Sequence, residues 1–147
     1  MTGASGAHAP TVISPVGQSM AHRAPIDVLV IEDEEHVAEL LADVLSDEGY
    51  RVATAGDGLR GLDYVARYRP RVVLCDVMLP GISGVEVLSR LETADDYRPT
   101  VILMSAAGPP PARPQAVPFI GKPFNLDELV ASVRAALQES SAGGAAH

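Results

Sequence analysis

Residues 71–91 read RVVLCDVMLPGISGVEVLSRL, and this stretch decides the fold. It opens on Arg71, runs through Val72, Val73, Leu74 and Cys75, and stops at Asp76. A short unbroken apolar run of this kind suits a strand buried on both faces, as in a parallel sheet. Pro80 and Gly81 then break the chain as a turn. Over residues 84–91, Val85, Leu88 and Leu91 fall on one side of a helix. The unit is therefore a buried strand, a turn that begins with a carboxylate, and an amphipathic helix.

The same unit recurs on either side. DVLVI at 27–31 is a first buried strand, and Val37, Leu40, Leu41, Val44 and Leu45 make the stripe of a helix that Gly49 ends. RVATA at 51–55 is a weaker second strand, and Leu59, Leu62, Val65 and Ala66 mark a second helix that stops before Pro70. Beyond the opening stretch, TVILM at 100–104 is a fourth strand and PFIG at 118–121 a fifth. Asn125 caps a last helix with Leu126, Leu129, Val130, Val133 and Leu137 as its stripe. Alternating strands and helices imply an α/β, doubly wound domain with a five-stranded parallel sheet. The expected domain runs over 26–138. Residues 1–25 and 139–147, rich in Gly, Ala, Ser and Pro, read as disordered tails.

Composition narrows the function. The chain has 147 residues, a formal net charge of −8 and no Lys/Arg cluster, which disfavours direct binding to nucleic acid. One cysteine, Cys75, excludes an intramolecular disulfide framework and a zinc-type cysteine pattern. No apolar run reaches the length of a membrane span, and residues 1–25 lack the pattern of a secretory signal, so the expected location is cytoplasmic.

In open parallel sheets, ligands bind beyond the carboxyl ends of the strands. The residues at those ends are Glu32 and Asp33 after the first strand, Asp76 after the third, Ser105 after the fourth and Lys122 after the fifth. Three carboxylates gathered at one edge repel one another, and a divalent cation relieves that conflict. Hard oxygen donors suit Mg²⁺, which keeps waters that a phosphate can replace. A lysine adds a point charge for a phosphoryl oxygen and a serine adds a hydrogen bond. Together the parts suit phosphoryl transfer to a carboxylate.

Over residues 28–137 the chain resembles the receiver domain of bacterial two-component response regulators. The acidic pair in VIEDEE, the stretch CDVMLPGISG, the hydroxyl residue in LMSAA and the GKPF motif carry the resemblance, in that order. It implies a flavodoxin-like receiver fold and a role for each residue. Asp76 is implied as the phosphoacceptor, with Ser105 and Lys122 completing the reactive set. Asp33, Asp76 and the backbone carbonyl of Met78 are implied as Mg²⁺ ligands, with Glu32 acting through water. Ser105 and Phe119 are implied as switch residues. The bond between Lys122 and Pro123 is expected to be cis, as is common at that place in the family. The implied phosphodonor is a histidine kinase or histidine phosphotransfer protein, and the implied target an unidentified downstream protein.

One segment departs from the family. A receiver has a helix between its fourth and fifth strands, but residues 106–117 here read AAGPPPARPQAV, with Pro118 next. Proline removes donors and clashes inside a helix, so a Pro-rich extended loop is expected instead. In the family that helix contributes to the common dimer face, so a monomer or weak dimer is expected. With no output segment after 138, a stand-alone single-domain receiver is the expectation. Two other functions compete. A phosphorylation-independent interaction module on the same fold is favoured by the missing helix and opposed by the intact set of carboxylates and lysine. An aspartyl-nucleophile phosphatase needs a second Asp two residues after the first, where Met78 stands. The expected protein is therefore not an enzyme beyond self-dephosphorylation, and the resemblance places Met78 and Ala107, both lacking groups to position water, where the family tunes that rate, which implies that it is slow.

Overall fold

Runs of Val, Leu and Ile become the central strands, and the charged residues that follow them become the sheet's functional edge. A computed structural model describes residues 11–13, 26–95, 97–110 and 117–145. The elements in chain order are β1 (Thr11–Ile13), β2 (Val28–Ile31), α1 (Glu35–Asp47), β3 (Val52–Ala55) and α2 (Gly58–Tyr68). They continue with β4 (Val72–Asp76), α3 (Gly84–Glu92), β5 (Thr100–Ser105), β6 (Phe119–Gly121) and α4 (Leu126–Ala145). The sheet order is β1-β3-β2-β4-β5-β6. Strands β2 to β6 are parallel, as expected, and β1 lies antiparallel to β3. The chain winds outward from β2 to one side and from β4 to the other. The crevice between these two strands is where such sheets bind ligands.

Alternate side chains of the strands feed two cores. Leu29, Ile31, Val73, Cys75 and Leu103 pack with Tyr64, Val65, Val87 and Leu88 of α2 and α3. Val28, Val30, Val72, Leu74, Ile102 and Met104 pack with Leu41, Leu45, Leu129 and Val133 of α1 and α4. Covering both faces explains why β2 and β4 are buried along their full length and read as unbroken apolar runs.

Side-chain oxygens start every helix. Glu34, Asp57, Ser83 and Asn125 accept from the backbone N–H of His36, Arg60, Glu86 and Glu128 at 3.2, 2.8, 3.2 and 3.1 Å. Caps of this kind contribute about 1 kcal/mol each. Gly49, at φ 95°, follows the end of α1 in the left-handed region that favours glycine.

Several expectations need correction. The buried face of α2 is made by Gly58, Gly61, Tyr64 and Val65, whereas Leu59 is 58% exposed. A side chain at Gly61 would collide with Ile31, so the helix sits against β2 through the residue with no side chain. The expected N-terminal tail is interrupted by β1, because the outer edge of β3 offers unpaired backbone groups to a β-branched segment. The remainder of 1–25 lies outside the described residues. The expected C-terminal tail is helical as far as Ala145. Once α4 is anchored by Leu129 and Val133, propagation is cheap, and no proline follows Leu137. In the Pro-rich stretch, residues 106–110 form a turn and coil, and 111–116 lie outside the described residues.

Candidate functional site

Backbone hydrogen bonds carry the strand ends to one edge. Glu32 N–H donates to the Ala55 carbonyl at 3.0 Å, which holds the buried Glu32 beside the end of β3. Asp33, the next residue, is exposed. Val77 N–H donates to the Met104 carbonyl at 2.8 Å, so the chain is still tied to β5 just past the buried Asp76. Lys122 N–H donates to the Ser105 carbonyl at 3.0 Å, which fixes the start of the lysine side chain beside the end of β5.

The lysine ammonium joins two buried carboxylates. Lys122 Nζ donates to Glu32 Oε1 at 2.8 Å and to Asp76 Oδ2 at 3.1 Å. The other oxygens are held by the backbone: Glu34 N–H donates to Glu32 Oε2 and Met78 N–H to Asp76 Oδ1, both at 3.1 Å. Burial raises the Glu32 pKa above its ordinary value, with the Asp76 charge adding to it against the opposing hydrogen bonds from Lys122 and Glu34. Burial also works against the Lys122 ammonium, but its two carboxylate partners outweigh it and the Lys122 pKa is raised. Burial, and then the charges of Asp76 and Glu32, push the Cys75 thiol up. Cys75 is thus a small buried hydrophobe and not a nucleophile.

One carboxylate oxygen from each of Glu32, Asp33 and Asp76 lies within 4.8 Å of the other two. This hard-oxygen set fits Mg²⁺, which commonly takes one or two carboxylates with waters. Each Glu32 oxygen already accepts a hydrogen bond, one from Lys122 and one from the Glu34 amide. Exposed Asp33 stands at the solvent side of the cluster.

The structure therefore brings Glu32, Asp33, Asp76 and Lys122 together. Ser105 is buried at the end of β5, and its Oγ accepts from Ala107 N–H at 3.0 Å. Met78 touches Asp76 through its backbone N–H and is 66% exposed. Phe119 is partly buried and packs on the core beneath α2 and α3. The Lys122–Pro123 bond is cis, as the resemblance implies.

Two residues at the site had gone unremarked. Phe124 lies under the lysine, with Nζ 5.8 Å from the ring centroid. The GKPF motif contained that signal in its last letter. Gly84 opens α3 directly against the backbone of Asp76 and Val77. A Cβ there would collide with the Asp76 carbonyl oxygen and come within 2.8 Å of Val77 Cα. Only backbone lies in its way, so the loop itself must move. Gly84→Ala is expected to cost about 2 kcal/mol, in the range for overpacking, in a urea melt. Gly81→Ala, with open space around the site of its Cβ, serves as a comparison in which only the positive φ is strained.

Known proteins resemble the chain over most of its described length. The family model for the response regulator receiver domain matches residues 28–134. The uncharacterized transcriptional regulatory protein YkoG of Bacillus subtilis (strain 168) is 42% identical over 118 residues, 77% of this chain and 51% of its own. The DNA-binding response regulator MtrA of Mycobacterium leprae (strain TN) is 39% identical over 117 residues, 77% of this chain and 52% of its own. The chain thus spans about half the length of the curated relatives it matches. Among solved structures, the receiver domain of a signal transduction histidine kinase from Syntrophus aciditrophicus has a TM-score of 0.70 at 25% identity. That match covers 77% of this chain and 90% of the other. A strand order that reverses between β2 and β4, carboxylates gathered at that reversal and a match across most of the described residues lead to one assignment: the chain belongs to the response regulator receiver domain family of two-component signalling, whose members are signalling proteins.

Proposed function

We propose that the chain is a phosphorylation switch that accepts a phosphoryl group on Asp76. The observation that carries this reading is the Lys122 ammonium, bonded to Asp76 and Glu32 beside the exposed Asp33. An Asp76 carboxylate oxygen attacks phosphorus, and the bond from phosphorus to the donor's leaving group breaks. The donor is a histidine kinase or a histidine phosphotransfer protein. Mg²⁺, held by Asp33, Asp76 and the Met78 carbonyl with Glu32 acting through water, would neutralise charge on the transferring group. Lys122 supplies fixed positive charge to a phosphoryl oxygen without having to be recruited.

The product carries more charge and more acceptor oxygens than the carboxylate it replaces. Ser105 Oγ then leaves the Ala107 amide for a phosphoryl oxygen, and Phe119 repacks in response. The altered surface binds a downstream protein. The relatives, one named a transcriptional regulatory protein and one a DNA-binding response regulator, extend well beyond the matched length. For this chain, with its net charge of −8, the proposed partners are proteins and not nucleic acid. Among the described residues no helix is long and apolar enough to cross a membrane, and the reading is of a cytoplasmic monomer or weak dimer. The Pro-rich loop in place of the family's helix remains part of this reading. It gives the alternative, an interaction module independent of phosphorylation, its one support.

The test is a Mg²⁺ titration of phosphoryl uptake from acetyl phosphate, read by intact mass. Asp33→Asn removes a charged ligand but no core contact. It is expected to raise the Mg²⁺ needed for half-maximal uptake by at least about tenfold. An unchanged titration would remove Asp33 from the metal site.

A further inference from the structure

β3 is the outermost strand of the parallel sheet, and its outer side is taken by β1. Thr11 pairs with Thr54, Val12 with Ala53 and Ile13 with Val52. Exposed sheet edges are normally protected by charge, by proline or by a cover. The opposite edge has such protection: β6 is three residues long, preceded by Pro118 and followed by Lys122 and Pro123. β3 reads VATA, with neither charge nor proline, so its protection is β1.

We propose that the outer edge of β3 is a strand-addition site that residues 11–13 hold closed in cis, and that its other occupant is the same edge of a second copy of this chain. Ile13 and Val28 both pair with Val52, from opposite sides, so they stand about two strand spacings, or ~10 Å, apart. Fourteen residues, 14–27, join them, enough to reach about 45 Å. That length exceeds the span several-fold, so closing in cis requires no strain and sets a local strand concentration of about millimolar. A second copy at micromolar concentration loses that competition. A three-residue strand is nonetheless a weak clamp.

The vacated edge complements itself. β1 shows that it accepts an antiparallel strand. Two copies paired antiparallel about Thr54 set Thr54 opposite Thr54 and Ala53 opposite Ala55, small uncharged residues throughout. A two-fold contact of this kind closes on itself and makes a dimer, not a fibre.

The test compares the full chain with its Val12→Pro/Ile13→Pro variant. Ladder donors alternate along an antiparallel strand, so two adjacent prolines remove one whichever phase β1 adopts. Light scattering over a concentration series should give a monomer for the wild type and a concentration-dependent dimer for the variant. At dilution, the variant's outward β3 amides should exchange with solvent at least about tenfold faster. Thr54→Lys, added to the variant, should restore the monomer by setting lysine against lysine. A variant that stays monomeric at every concentration overturns the proposal. So does a dimer that survives Thr54→Lys, or a β3 whose exchange is unchanged by the prolines.

Discussion

Lys122→Met is expected to destabilise the domain by about 3 kcal/mol, more than a hundredfold in the unfolding equilibrium. The substitution keeps the length and apolar stem of the side chain and removes the ammonium. Glu32 and Asp76, with side chains 1% and 6% exposed, then face each other without a cation. Breaking a buried ion pair from one side costs about 3–5 kcal/mol, and the partial exposure of Lys122 favours the lower end. Backbone donors from Glu34 and Met78 still satisfy one oxygen of each carboxylate, which keeps the cost from rising further. A second signature separates this cause from lost packing. The uncompensated cluster should bind Mg²⁺ more tightly, so millimolar Mg²⁺ should raise the variant's urea midpoint by more than it raises the wild type's. A variant as stable as the wild type, or one indifferent to Mg²⁺, would mean that the lysine does not hold the carboxylates together.

The parts of this site that the sequence made legible are those that follow from strand ends. An apolar run must be buried, a parallel sheet sends all its carboxyl ends to one edge, and the residues there are Glu32, Asp33, Asp76, Ser105 and Lys122. The direct bond between Lys122 and Glu32 was not legible, because nothing in the spacing of residues 90 apart says which carboxylate a lysine will choose. The backbone donors to Asp76 and Ser105 were equally silent, since every residue but proline carries one.

The fold divides in the same way. The five parallel strands and four main helices can be read from periodicity. The packing face of α2 cannot, because periodicity counts apolar side chains and this helix approaches β2 through Gly61, which has none. Leu59, the first residue of the expected stripe, is left in solvent. Pairing of residues 11–13 with β3 is long-range, and three β-branched or hydroxyl residues amid Gly, Ala, Ser and Pro carry little local preference. The extension of α4 to Ala145 depends on an anchor several turns earlier.

The second large effect is complete loss of phosphoryl uptake in Asp76→Asn. Asparagine has nearly the same shape, and Lys122 keeps Glu32 as a partner, so the fold should survive. The amide lacks the anionic oxygen that attacks phosphorus, and among the described residues no other carboxylate is placed to replace it. Glu32 is buried and engaged at both oxygens, and Asp33 lies outside the buried pair. The most direct measurement is the intact mass of wild type and Asp76→Asn after incubation with Mg²⁺ and acetyl phosphate. A single phosphoryl adduct on the wild type, absent from Asp76→Asn and absent without Mg²⁺, is the predicted result; an equal adduct on the variant, or none on a folded wild type, would contradict the account.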